Sequence, residues 1–94
     1  MKFTIIIGEQ EKHTINYSFN KFWGFLKITV NGIRIIKDLR TYSLNLTTSY
    51  EFEVGVKEIY HVRIDKIRPR INGALRSNKY EVYVNGTLFK ELND

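Results

Sequence analysis

The feature that most constrains this chain is an alternation of apolar and polar residues with a period of two, which places every second side chain on one face of a β-strand. Phe3, Ile5 and Ile7 alternate with Lys2 and Thr4, and His13, Ile15, Tyr17 and Phe19 alternate with Thr14, Asn16 and Ser18. The pattern returns in Tyr42, Leu44 and Leu46, in Phe52, Val54 and Val56, and in Tyr60, Val62 and Ile64. Each set is expected to form the inner face of a strand. No segment carries a convincing helical period; the best candidate, Gly73 to Lys79, is short and holds polar breakers.

Two hairpins are expected where Asn-Gly supplies the positive-φ positions of a type I′ turn, at Val30-Asn31-Gly32-Ile33 and Val84-Asn85-Gly86-Thr87. A two-residue loop sets Val30 against Ile33 and Ile28 against Ile35 on an inner face, with Thr29 opposite Arg34 outside. In the second hairpin it sets Val84 against Thr87 and Val82 against Phe89, with Tyr83 opposite Leu88 on the outer side. The likeness between Phe25-to-Gly32 and Lys79-to-Gly86 is read as shared hairpin chemistry. Pro69, which lacks a ladder donor, and Asn72-Gly73 mark residues 66–78 as the long connection of the fold.

About nine short strands without βαβ alternation predict an all-β chain, a single antiparallel β-sandwich in preference to a closed barrel. With 94 residues, of which 43% are apolar, residues 1–94 are expected to form one domain with a core that needs no covalent staple. Cysteine is absent, which excludes disulfides, thiolate catalysis and zinc–thiolate sites. No apolar run approaches the length of a membrane-spanning helix and no signal-peptide layout opens the chain, so a cytoplasmic location without membrane contact is expected.

A polar strand led by His13 and Ile15, then Gly24, the Val30-Asn31-Gly32 hairpin, the Phe52-Glu53-Val54-Gly55 strand end and the closing hairpin from Tyr80 to Gly86 resemble the β-sandwich repeat of the Fas apoptotic inhibitory molecule. The resemblance spans His13 to Gly86. The chain departs from that family in its basic Arg68-Pro69-Arg70 connection and in being one unit where the family protein has two. The resemblance implies a non-enzymatic sandwich that works by protein contacts.

The residues give little to catalysis. Of the two histidines, His13 closes an apolar face and reads as a satisfied rim residue, while His61 reads as solvated. Neither lies in a nucleophile–base–orienter arrangement. Glu51 and Glu53 share one side of a strand, the usual pattern of a water-facing strand and not of a general acid–base pair. No histidine pair has ligand spacing and no loop resembles a calcium or phosphate loop, so neither metal nor cofactor is expected.

Two features remain. Three aromatics, Phe22, Trp23 and Phe25, crowd one inter-strand turn. They either fold back as a plug, the expected outcome for a small domain's only tryptophan, or form a contact patch. The second feature is charge. The chain's formal net charge of +5 equals that of the stretch holding Arg63, Lys66, Arg68, Arg70, Arg76 and Lys79 against Asp65 alone. That stretch is either a solvated crossover or a phosphate-tracking arm, with Tyr80 and Tyr83 nearby for stacking. The expected function is a non-catalytic interaction module that binds another protein through a sheet face or the Trp23 turn. Its candidate contacts are Phe22, Trp23, Phe25, Tyr83 and Leu88, and the alternative is nucleic-acid binding through residues 63–79.

Overall fold

The computed structural model describes residues 1–20, 23–35, 37–68 and 78–93. Nine strands lie among them: β1 (Lys2–Ile7), β2 (His13–Asn20), β3 (Phe25–Val30), β4 (Ile33–Arg34), β5 (Arg40–Leu44), β6 (Thr47–Val54), β7 (Tyr60–Ile67), β8 (Lys79–Val84) and β9 (Thr87–Asn93). They form two antiparallel meanders, β1-β2-β3-β4 and β5-β6-β7-β8-β9, an all-β architecture compatible with a sandwich of about nine strands. No helix of the described residues is long and apolar enough to cross a membrane. Two compact units are distinguished, Met1–Asp38 with Val54–Tyr60, and Leu39–Glu53 with His61–Asp94.

In the first unit the alternation holds as expected. Phe3, Ile5, Ile7, Ile15, Tyr17 and Ile28 are buried, and Phe3 stacks on Tyr17 at 4.9 Å between ring centroids. The β3–β4 hairpin has the expected pairs Val30↔Ile33 and Thr29↔Arg34, and Ile35 N–H donates to the Ile28 carbonyl. Ile33 is nonetheless exposed, on a two-residue strand at the edge of the sheet.

In the second unit Tyr50, Phe52, Val62, Ile64, Tyr80 and Val82 are buried. Three expectations change from β5 onward. The register Tyr42↔Ser49 and Leu44↔Thr47 puts Tyr42 and Leu44 on the face opposite to Tyr50 and Phe52, so β5 is exposed along its length, with Leu44 73% accessible. A one-residue difference in pairing moves a whole strand's side chains to the other face. Val56 lies beyond β6 and is exposed. In the β8–β9 hairpin Val84↔Thr87 and Tyr83↔Leu88 pair as expected, but an irregularity between Val82 and Tyr83 sets Val82 against Lys90 and not Phe89.

The likeness between the halves extends beyond the hairpins. An offset of 47 residues carries Gly8 onto Gly55, and with it Phe3, Ile5, Ile7, Glu11 and Ile15 onto Tyr50, Phe52, Val54, Glu58 and Val62. Gly8 and Gly55 have φ of 107° and 106°, and a side chain on either would collide with the carbonyl oxygen three residues on, of Glu11 or Glu58. In both meanders the strand that follows pairs next with a hairpin whose asparagine has φ of 52°. The layout of β1–β4 thus recurs in β6–β9, with β5 added at the edge.

Candidate functional site

Pairing in the first sheet aligns side chains of successive strands into rows. Lys2↔Ser18↔Lys27 forms one row and Thr4↔Asn16↔Thr29↔Arg34 the next, with Asn20↔Phe25 beyond the first. All lie on the face opposite to the buried apolar residues, since they alternate with Phe3, Tyr17 and Ile28, and of them Thr29 is itself buried. In the first row the short Ser18 is flanked by two lysines whose backbones are about 10 Å apart, twice the inter-strand spacing, so the row is a trough with cationic walls. Two shallow recesses, of about 460 and 540 Å³, share Lys2, Ser18 and Lys27 and run together along this face. Thr4 hydroxyl donates to Asn16 Oδ1, and Arg34 Nη2 donates to the Leu26 carbonyl, which holds the guanidinium beside the β3 edge.

Trp23 stands at one end of the trough. Asn20 builds its turn: the Asn20 carbonyl accepts from Gly24 N–H at 2.8 Å and its Oδ1 from Trp23 N–H at 3.2 Å. The expected plug is not formed, for Trp23 is 75% and Phe25 70% accessible. Phe22 lies outside the described residues.

Three carboxylates of this unit, Glu9, Glu11 and Glu58, gather at the opposite end, around the turns that follow β1 and β6, and the fourth, Asp38, follows β4. There Glu11 accepts from Val56 and Lys57 N–H, while Glu58 Oε1 accepts from Gln10 and Glu11 N–H, a reciprocal clasp between equivalent turns. The Val56 amide, first, and then Lys57 and His13 hold Glu11 below the ordinary carboxylate range. Desolvation, reinforced by Glu58, holds the Tyr60 phenol above its own.

His13 is buried, as expected of a satisfied rim residue, with Nε2 2.9 Å from Glu11 Oε1 and Nδ1 3.0 Å from Asn31 Nδ2. Asn31 Oδ1 accepts from Thr14 N–H, so its amide nitrogen faces the ring and Nδ1 must accept; the proton of the neutral ring is on Nε2, donated to Glu11. His61 is half-buried, 3.4 Å from Glu51. Among the described residues no group of three or more histidines, cysteines or carboxylates is placed to hold a metal ion.

The second sheet collects the other sequence candidates and pairs two of them with carboxylates. Arg63 lies 3.3 Å from Asp65 and 4.2 Å over the Tyr83 ring, and Ser49 hydroxyl donates to Asp65. Tyr83 hydroxyl donates to Glu81, and desolvation followed by that carboxylate raises its pKa. Lys79 is 2.9 Å from Glu91 and 3.5 Å from Glu81, and Glu91 above all raises it. Lys66 lies opposite Tyr80, and the backbone N–H of the exposed Arg68 donates to Leu46. Arg70 and Arg76 lie outside the described residues. Tyr83 and Leu88 face each other across β8 and β9, in the other unit from Trp23 and Phe25.

Reading the chain alone missed the trough, although a signal was present. From Lys12 to Lys37 there is no acidic residue, against Lys12, Lys21, Lys27, Arg34 and Lys37. Summing charge over everything outside residues 63–79 cancelled this run against glutamates elsewhere. Compared with protein-family models, curated proteins and solved structures, the chain has no match.

Proposed function

We propose that this protein is a non-catalytic interaction module that holds its partner on the outer face of the first sheet, with Trp23 and Phe25 as anchors. The observation that carries this reading is the exposure of both aromatics at the end of a face without a carboxylate. Large aromatics left in water on a small chain cost burial that a partner restores, and such residues dominate binding energy at interfaces. Non-catalytic character is supported by His13, whose two ring nitrogens are both engaged by neighbours. The alternative, nucleic-acid binding through residues 63–79, has less support, because Arg63 and Lys79 already have carboxylate partners.

The test is photo-crosslinking in cells from a benzophenone side chain placed at Trp23, at Lys27 or, as a control, at Glu53, exposed in the second sheet. Discrete adducts from positions 23 and 27 and none from 53 are expected. Equal labelling from all three, or adducts from 53 alone, would contradict the assignment.

A further inference from the structure

We infer that the trough on the first sheet is a binding site for single-stranded nucleic acid, an inference that rests on the proposed use of this face and names its ligand class. Three observations combine. The first is charge: Lys2 and Lys27 flank Ser18, Arg34 ends the adjoining row, and no acidic side chain joins these rows to offset them. Such a face demands a negatively charged ligand.

The second is the pairing of that charge with exposed aromatics. Phe25 precedes Lys27 by two residues on the same face of β3, and Trp23 stands just beyond. Phosphates beside aromatic rings are the demand of an unpaired strand, whose bases have free π-faces to stack. A duplex offers no such faces, and this sheet presents no helix to a groove.

The third is the lining between the cations. Ser18, Asn16 and Asn20 supply hydroxyl and amide groups, which donate to phosphate oxygens and sugars without adding charge. The two contiguous recesses make the site elongated and open, suited to a chain lying across strands and not to an enclosed small molecule. An acidic protein segment carries its charge and its apolar groups on different residues, whereas every nucleotide brings a phosphate and a stacking base together, so a polynucleotide fits better.

The experiment measures binding of a fluorescently labelled oligodeoxythymidine to the full chain by anisotropy across a salt series, with circular dichroism to confirm that each variant keeps its strands. With Lys2, Lys27 and Arg34 each neutralising one phosphate, the log–log slope is expected to be about −2. Lys2→Gln with Lys27→Gln should flatten it by roughly 1.4. Trp23→Ala with Phe25→Ala should weaken binding roughly ten-fold or more at unchanged slope, the signature of stacking. Arg63→Gln should change neither. A slope flattened by Arg63→Gln but not by the lysine pair would move the site to the second unit and overturn the inference. Equal affinity for inorganic polyphosphate, with no effect of the aromatic pair, would reduce the face to an unspecific cation patch. Tighter binding of polyglutamate than of the oligonucleotide would assign the face to an acidic protein; crosslinking from Trp23 would then stand while the ligand class fell.

Discussion

Asn31 and Asn85 show how much one residue contributes beyond its turn propensity. Each takes a positive φ, and each also extends a ladder: Asn31 N–H donates to the Thr14 carbonyl and its Oδ1 accepts from Thr14 N–H, while Asn85 does the same with His61. The side chain replaces the carbonyl that a further strand residue would have offered. Replacing Asn85 with glycine preserves the turn and removes that acceptor, so a loss of about 1–2 kcal/mol is expected in urea denaturation, from one hydrogen bond and added backbone freedom. An unchanged midpoint would show that the side-chain bond contributes nothing. Asn-Gly was legible as a turn because φ is a local property, whereas the bond to a neighbouring strand depends on which strand lies beside the turn. Trp23 was misjudged for a related reason. Burial favours tryptophan on average, but here the bonds that Asn20 accepts fix a turn that leaves the indole in water.

At the scale of elements, the turns after β1 and β6 depend on Gly8 and Gly55 in two ways, through φ and through the space above them. Gly55→Ala is expected to cost several kcal/mol, more than the roughly 1–2 kcal/mol of positive φ alone expected for Gly32→Ala, where a Cβ meets nothing. Equal costs in denaturant would show that the close approach to Glu58 is easily relieved. The clasp at these turns also predicts an acid limb. Glu11 has a folded pKa below its ordinary value of 4.5, so its contribution is complete above that value and is lost as the pH falls through the lower, folded one. Glu11→Ala should lower the denaturant midpoint at neutral pH and shrink that acid-limb loss; parallel wild-type and variant profiles would disprove it. Strand identity was legible throughout because burial of one face imposes the alternation. It failed in β5, where exposure of the whole strand leaves no burial to impose it, and across the β8–β9 irregularity, which a turn sequence does not encode.

At the scale of the molecule, charge is sorted in a way that net charge conceals. The first unit gathers Glu9, Glu11 and Glu58 at the Gly8 and Gly55 turns, away from the cations and aromatics of the trough, while in the second unit Arg63 and Lys79 are each paired with carboxylates. Separation leaves a field for a ligand; pairing leaves little. Alternation within a strand was enough to expect two layers of strands, but the trough exists only through the register of β1, β2 and β3, which brings Lys2, Ser18 and Lys27 together from distant positions. The most direct test is amide chemical-shift mapping of the isotope-labelled chain during titration with oligodeoxythymidine. Shifts confined to Lys2, Ser18, Trp23, Lys27 and their row neighbours, with Ser49, Glu81 and Val84 unmoved, are predicted; shifts centred between Arg63 and Lys79, or none at saturating oligonucleotide, would contradict the assignment of this face.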